Sequence, residues 1–216
     1  NCVIIGDVSG KGISAAFYMA ELKGVVLAVA GESESPADAL CRINAALKGS
    51  LERGSYIAMT AVAIDEEKSE LIIARAGHTP IAVSRNGKIH LLQPRGVGVA
   101  LVEPSKFRNF LEEIRIPMAH KDVCLLFTDG VNEAMNAQQE EFGIEPLHGV
   151  LMQKNPEARF VVGEVVRRVS EFAEGMPQHD DMTVIAIVAE HNNTVDEILQ
   201  DVPEAQVKDN VVIVTG

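Results

Sequence analysis

The chain has 216 residues, enough for one large domain or two small ones with a substantial core. Its 47% hydrophobic and 23% charged residues are an ordinary globular composition, which excludes intrinsically disordered, collagen-like and coiled-coil chains. The formal net charge of −12 at pH 7 disfavours nucleic acid and anionic membranes as partners, because both require a basic footprint. Its longest apolar runs also fall short of the roughly 20 residues that span a bilayer.

The start of the chain and its cysteines indicate a piece of a longer cytoplasmic protein. Asn1 is followed directly by a strand-like sequence, which we interpret as a truncated N-terminal edge of the domain. The three cysteines are far apart and form no CxxC motif, as is typical of reduced cytoplasmic thiols: Cys2, Cys41 and Cys124. The polar, acidic residues 191–216 are predicted to be a C-terminal extension or linker, separate from one domain over residues 1–190.

Apolar periodicity in the first third of the chain predicts one strand followed by two helices. Residues 3–8 (VIIGDV) form a short apolar run that ends in the turn sequence SGKG, which is typical of a buried strand. Apolar residues at three- and four-residue steps predict a helix over residues 14–30. Ser35 at the cap and Pro36 at the first helical position predict a second helix over residues 36–51.

The middle third changes to strand periodicity, and helical periodicity returns before a last strand. The predicted strands cover residues 56–65, 70–76, 81–84, 88–92, 107–116, 122–127 and 182–188, and the dipeptide Asn86-Gly87 marks a hairpin turn. Two more helices are predicted over residues 144–152 and 156–173. Because the helices come in pairs rather than alternating with strands, we predict an α+β fold, a four-layer α-β-β-α sandwich with two antiparallel sheets.

Three apolar strands carry an aspartate at one end. Asp7 ends the first strand, Asp129 follows the run LLFT, and Asp180 precedes the last strand. Turn chemistry explains any one of these positions alone, although burying an unpaired carboxylate costs roughly several kcal/mol. If all three strand ends meet at one edge, three carboxylates converge and require a cation, and oxygen ligands favour Mg²⁺ or Mn²⁺. Two such ions would bind a phosphate oxygen and activate a water for hydrolysis of a phosphate monoester.

Four motifs, in this order along the chain, resemble the signature set of bacterial PPM/PP2C-type serine/threonine phosphatases of the SpoIIE and RsbU-like branch. They are GDVSGKG at residues 6–12, AGHTP at 76–80, FTDGVNEA at 127–134 and DDMTV at 180–184. The resemblance covers about residues 3–189 and implies the α-β-β-α sandwich, a centre of two Mn²⁺ or Mg²⁺ ions and a phosphoprotein substrate. In that branch the substrate is usually a phosphoserine or phosphothreonine of an anti-sigma-factor antagonist, a STAS-type domain.

The resemblance also implies which residues bind the metals and carry the catalysis. Asp7 matches the bridging aspartate, and Val8 offers the backbone carbonyl that follows it. Asp129 matches the aspartate of the TDG motif, and Asp180 matches the first residue of the DD/DN motif. Asp181 stands where relatives carry Asp or Asn, so we interpret it as a supporting residue rather than a direct ligand. A homodimer is left open.

Departures from the family pattern leave alternative functions open. The sequence lacks an acidic strand before the first motif, a histidine general acid near that motif and an N-terminal phosphate-binding arginine. The main alternative is a catalytically silent PPM-like module that binds a STAS or anti-sigma partner, and a weaker one is a metal phosphodiesterase. His78 in the AGHTP motif has either a structural, hydrogen-bonded role in a turn or a role near the metals.

Overall fold

The computed structural model describes residues 1–85, 87–178 and 180–190, and the strand backbone of residues 206–208 and 211–214. It divides the chain into two compact units. Of the described residues, the first unit contains 1–78, 93–117 and the strand residues 206–208 and 211–214, and the second contains 79–85, 87–92, 118–178 and 180–190. Each unit is built on one β-sheet.

Ten strands and six α-helices follow one another along the described part of the chain. The strands are β1 (Cys2–Val8), β2 (Ile57–Asp65), β3 (Glu70–Ala76), β4 (Ile81–Arg85), β5 (Lys88–Leu92), β6 (Glu113–Pro117), β7 (Val123–Phe127), β8 (Val184–Val188), β9 (Gln206–Lys208) and β10 (Val211–Val214). The helices are α1 (Ile13–Val29), α2 (Pro36–Leu47), α3 (Pro104–Phe107), α4 (Asp129–Asn132), α5 (Glu145–Leu151) and α6 (Ala158–Ala173). Short 3₁₀ helices follow α1 over Ala30–Glu32 and α3 over Arg108–Phe110.

The sheet of the first unit has the strand order β6-β3-β2-β1-β10-β9. β1 and β10 run parallel, with Cys2 opposite Val211, and the other pairs are antiparallel. β9 and β10 lie within the segment predicted to be an extension or linker. The rest of that segment lies outside the described residues, so the division of the chain at residue 190 stays a prediction.

The helix pair α1 and α2 covers one face of the first sheet. Side chains alternate between the two faces along each strand. On one face, Ile4, Ala61 and Ala74 share a buried core with Leu22 of α1 and Leu40 of α2. Polar side chains at the strand ends can therefore lie on the opposite face, which α1 and α2 do not cover.

The start of α2 follows the prediction closely. The Ser35 hydroxyl accepts a hydrogen bond of 3.3 Å from the backbone N–H of Asp38, and Pro36 occupies the first helical position. The helix ends at Leu47, earlier than predicted, because Lys48 has already left the helical region with a ψ of 117°.

Helix α1 is the most apolar helix of the first unit. With the 3₁₀ turn after it, Ile13–Glu32 has 20 residues and a mean hydropathy of 1.6, so length and composition alone are sufficient for a membrane span. Leu22 and Val26 nevertheless pack in the core of the unit, as in the core helix of a folded domain. Ile13 and Phe17, at its beginning, are 78% and 71% exposed. The absence of a membrane partner stays a prediction.

The sheet of the second unit has the strand order β5-β4-β7-β8 and is antiparallel throughout. Helices α5 and α6 cover one of its faces, where Leu125 and Phe127 of β7 share a buried core with Leu147 of α5 and Val161 of α6. The hairpin predicted between β4 and β5 is present, although Asn86 itself lies outside the described residues.

The strand predicted over residues 107–116 is wrong in its first part. Pro104–Phe107 is α3, and the 3₁₀ turn Arg108–Phe110 follows it. Pro104 suits the first position of a helix, because its missing N–H is not needed there. The Arg108 guanidinium donates a hydrogen bond of 3.0 Å to the Leu111 carbonyl and closes the turn, so β6 begins only at Glu113.

Candidate functional site

Asp7 lies at the end of β1, on the face of the first sheet opposite α1 and α2. Its partner in the β1–β2 ladder is Ala58. Because successive side chains alternate between the two faces, Asp7, three residues after Ile4, lies on the face opposite Ile4. Val8 turns its side chain into the helix-covered core, where it is 6% exposed. Val8 can therefore contribute to a polar site only through its backbone.

A tight loop over residues 9–12 follows Asp7. The Ser9 N–H donates to the Tyr56 carbonyl (2.9 Å), and the Ser9 hydroxyl accepts from the Tyr56 N–H (2.8 Å). Gly10 and Gly12 have φ values of 98° and 87°, in the left-handed region that favours glycine. These bonds and turns fix the end of β1 beside the start of β2 and allow α1 to begin at Ile13.

A polar cluster of Thr60, Arg75 and His78 lies on the same face of the first sheet as Asp7. Thr60 is opposite Arg75 in the β2–β3 ladder, and Thr60 Oγ1 and His78 Nδ1 share a hydrogen bond of 3.2 Å. Arg75 Nε donates to the Pro94 carbonyl (3.0 Å), and Arg75 Nη1 donates to the His78 carbonyl. His78 is thus a buried, hydrogen-bonded residue of the turn after β3.

Burial, with a smaller effect of the Arg75 charge, lowers the pKa of His78 from 6.5 to about 4. Between these two pH values the unfolded state binds the proton and the folded state does not, so this group makes stability rise with pH. We expect it to lower the free energy of unfolding by about 2 kcal/mol at pH 5 relative to pH 7.5. Urea denaturation at the two pH values measures this difference.

The His78→Gln variant should lose that part of the pH dependence, whatever its absolute stability. The same replacement at the exposed His90 is the matched control and should leave the pH dependence intact. A wild-type pH dependence that persists unchanged in His78→Gln would contradict the shifted pKa.

Asp129 is the first residue of α4 and is separated from the end of β7 by Thr128 alone. The Thr128 N–H donates to the Thr183 carbonyl (3.1 Å), and the Thr128 carbonyl accepts from the Val131 N–H (3.1 Å). The chain therefore leaves the sheet and enters a helical turn at this point. Asp129 Oδ1 is buried and has no hydrogen-bond partner among the described residues, which is costly for a carboxylate oxygen unless a cation or water meets it.

The side chain of Thr128 ties the end of β7 to the turn that carries Asp180. Its hydroxyl donates to the Asp181 carbonyl (3.0 Å) and accepts from the Thr183 N–H (2.9 Å). Within the turn, Asp180 Oδ1 accepts a hydrogen bond of 2.9 Å from the Asp181 N–H. Asp129 and Asp180 therefore lie at the same end of the second sheet, whereas the neighbouring His179 lies outside the described residues.

Gly130 allows the two acidic segments to approach closely. A Cβ atom at this position would lie 2.4 Å from the Asp181 carbonyl oxygen and 3.1 Å from that of Asp180. Both contacts are with backbone atoms, which cannot rotate away as the end of a side chain can. Glycine is therefore required here by the close approach of the turn.

Two further acids, Glu133 and Glu141, belong to the same group, and the sequence interpretation missed both. Although Glu133 is an exposed residue, partial desolvation raises its pKa above the usual value, and the charges of Asp129, Glu141 and Asp180 raise it further. Glu133 lies one turn after Asp129, since its N–H donates to the Asp129 carbonyl (2.8 Å). The four-residue spacing between Asp129 and Glu133 is visible in the sequence. Glu141 is instead held near them by an isolated β-bridge to Met135, which the sequence does not reveal.

The structure thus brings Asp129 and Asp180 together in the second unit and places Asp7 and Val8 at a strand end of the first. Within the described residues, no group of three or more histidine, cysteine, aspartate or glutamate side chains is arranged to hold a metal ion. The convergence of all three aspartates on one pair of ions therefore stays a prediction.

Comparisons with known proteins support the resemblance of the motifs to those of SpoIIE and RsbU-like phosphatases. The family model "Stage II sporulation protein E (SpoIIE)" matches residues 2–190. Protein IcfG of Synechocystis sp. is 25% identical over 214 residues, covering 86% of this chain and 33% of the relative. Phosphoserine phosphatase RsbU of Bacillus subtilis is 24% identical over 133 residues, covering 61% of this chain and 38% of the relative. The chain thus spans only about a third of the length of each curated relative, 33% and 38%.

A solved structure agrees with the predicted fold. The PP2C phosphatase domain of SpoIIE from Bacillus subtilis, solved with a fragment of its regulatory domain, is similar with a TM-score of 0.71 and 18% sequence identity. The similarity covers 88% of this chain and 55% of that one. This confirms the predicted PP2C-like α+β fold with two sheets. Because the SpoIIE family model matches most of the chain, the chain belongs to the SpoIIE family, the SpoIIE/RsbU branch of the PPM/PP2C-type phosphatases.

Proposed function

We propose that this domain is a metal-dependent phosphatase that removes phosphate from a phosphoserine or phosphothreonine of a signalling protein. The observation that carries the proposal is the turn bound by Thr128, which holds the carboxylates of Asp129 and Asp180 at one end of a sheet. Membership of the SpoIIE family supports the class of reaction. The printed name of RsbU, a phosphoserine phosphatase, supports the phosphorylated residue.

Asp7, Asp129 and Asp180, with the backbone carbonyl of Val8, are the residues that would hold two Mn²⁺ or Mg²⁺ ions. They fit such ions because every donor is a hard oxygen atom. The buried Asp129 Oδ1, which has no partner among the described residues, is the kind of oxygen that a cation would satisfy. When bound, the ions supply positive charge that binds phosphate oxygens and lowers the pKa of a water.

The chain's own contribution is to hold the carboxylates in place before substrate binds. The Thr128 hydroxyl fixes the turn around Asp180, and the Ser9–Tyr56 hydrogen bonds fix the loop after Asp7. Carboxylates that are fixed in advance need no reorganisation during the reaction, which is the main source of electrostatic catalysis. Asp181 takes part through its backbone carbonyl and N–H, which agrees with a supporting role.

The proposed partner is a phosphorylated STAS-type anti-sigma antagonist, in the cytoplasm. The chain has three free cysteines, as suits a reducing compartment. A purified STAS domain phosphorylated on serine is the substrate with which this part of the proposal is tested, and its unphosphorylated form is the control for binding alone.

Hydrolysis of small esters tests the reaction class. With Mn²⁺ we expect turnover of p-nitrophenyl phosphate that EDTA abolishes, and much slower turnover of bis(p-nitrophenyl) phosphate. Faster turnover of the diester would instead identify a phosphodiesterase, and turnover that survives EDTA would contradict the role of metals.

A catalytically silent module that binds a STAS or anti-sigma partner is the second candidate. The observation in its favour is that the described residues contain no ready group of three metal-binding side chains. Calorimetric titration with Mn²⁺ separates the two candidates, because a silent module with a collapsed site gives no heat of binding.

A further inference from the structure

We propose that Thr79, in the AGHTP motif, is a positioning residue for Asp129. Its hydroxyl replaces a hydrogen bond that the sheet cannot make at the end of β7. This inference rests on the proposed function, since it assigns to Thr79 the task of holding a proposed metal ligand. It concerns residues of the second unit only.

The register of the second sheet, continued beyond its paired residues, brings Pro80 opposite the last residue of β7. The pairing of β4 and β7 ends at Ala82 opposite Leu125, and two further residues in the same register lead to Pro80 and Phe127. Backbone polar groups alternate sides along a strand. Because the Thr128 N–H points towards Thr183 on the β8 side, the carbonyl of Phe127 points the other way, towards β4.

Proline leaves that carbonyl without a backbone donor. Pro80 has no N–H, so the ladder bond that another residue would give is missing. The Thr79 hydroxyl donates to the Phe127 carbonyl instead. Phe127 is fully buried, and a buried carbonyl left without a donor costs about 1–3 kcal/mol. The threonine hydroxyl therefore fastens the end of β7 to the start of β4.

A second threonine acts in the same way on the other side of the strand. On the β8 side the Thr183 N–H donates to the Thr128 hydroxyl (2.9 Å) and not to the Thr128 carbonyl. That carbonyl accepts a hydrogen bond from the Val131 N–H of α4 instead. The strand end is thus held by one hydroxyl on each side immediately before Asp129. Thr128 also carries the Asp180 turn through its bond to the Asp181 carbonyl, whereas Thr79 reaches the strand end through the Phe127 carbonyl.

Thr79 does not need to touch an ion to affect its binding. It fixes the peptide two residues before Asp129, and an Asp129 carboxylate released from that constraint must be ordered when the ion binds. Residues that orient metal ligands typically change metal affinity by about 10- to 100-fold when they are replaced. We expect the lower end of this range, because the Thr128 bonds on the β8 side remain.

Thr79→Val removes the hydroxyl and keeps the shape, and Thr79→Ser keeps the hydroxyl. Calorimetric titration of the whole chain with Mn²⁺ should show about tenfold weaker binding for Thr79→Val and nearly wild-type binding for Thr79→Ser. Cys124→Ala is the control for stability, since it truncates a fully buried side chain of the same strand away from its end. It should lower the melting temperature and leave the affinity for Mn²⁺ unchanged.

Wild-type affinity in Thr79→Val would overturn the inference, as would an equal loss of affinity in Cys124→Ala. Amide hydrogen exchange of the metal-free protein gives a second readout, independent of metal. Thr79→Val should speed exchange at Asp129–Asn132 and Thr79→Ser should not, and unchanged exchange in Thr79→Val would also overturn the inference. A wild type that binds no Mn²⁺ would instead contradict the proposed function, and the exchange data would still decide whether Thr79 holds Asp129.

Discussion

Replacing Asp129 or Asp180 by asparagine is expected to reduce Mn²⁺-dependent hydrolysis of p-nitrophenyl phosphate by about a thousandfold or more. Each change removes one negative charge and keeps the shape of the side chain. Loss of a metal ligand removes several kcal/mol of transition-state stabilisation, and about 1.4 kcal/mol corresponds to a tenfold change in rate. Each change also removes a negative charge that repels the Glu133 carboxylate. The melting temperature of the metal-free variants should therefore be no lower than that of the wild type.

Asp181→Asn is the matched control for both variants. Asp181 is adjacent to Asp180 and exposed, and its described hydrogen bonds involve its backbone carbonyl and N–H rather than its carboxylate. Its activity should stay within about threefold of the wild type, because an asparagine keeps these backbone bonds. Undiminished turnover in Asp129→Asn and Asp180→Asn, or an equal loss in Asp181→Asn, would show that the wrong carboxylates are assigned.

Gly130→Ala is expected to push the Asp180 turn away from α4 and to weaken Mn²⁺ binding about tenfold, as is typical when the support of a metal ligand is lost. The new Cβ would lie 2.4 Å from the Asp181 carbonyl oxygen, so either the turn or the helix must move. Overpacking of this kind costs about 1–3 kcal/mol of stability. Calorimetry with Mn²⁺ and thermal unfolding measure the two effects on the same sample.

Gly163→Ala in α6 controls for the exchange of glycine by alanine. No atom outside the local helix lies within 4 Å of a Cβ at that position. Alanine should therefore stabilise the helix by about 0.5–1 kcal/mol and leave Mn²⁺ binding unchanged. If Gly130→Ala also binds Mn²⁺ as the wild type does, the close approach of the turn has no role in holding the site.

Periodicity and cap residues predicted most of the elements correctly, because those signals are local. The Ser35-Pro36 start of α2 is one example, and the β2–β3 and β4–β5 hairpins are others. The strand predicted over residues 107–116 failed because apolar residues in a short helix and a 3₁₀ turn also match an extended pattern over a few positions. Pro104 was the available signal for a helix start.

The sequence predicted the candidate site as three aspartates, Asp7, Asp129 and Asp180, with the backbone of Val8, and their joint role stays a prediction. Aspartates at strand ends are visible in the sequence, and so is Glu133 one turn after Asp129. The group around them is not, because the roles of Glu141 and Thr79 depend on which strand neighbours which. Thr128 could be read as part of a TDG motif, but its bond to the Asp181 carbonyl joins residues that are far apart in the chain.

Anomalous scattering from crystals of this chain soaked in MnCl₂ tests the proposed metal centre most directly. We expect manganese peaks within bonding distance of carboxylate oxygens of Asp7, Asp129 and Asp180. Manganese bound elsewhere, or a well-ordered site with these three carboxylates turned away from one another and no metal, would contradict it.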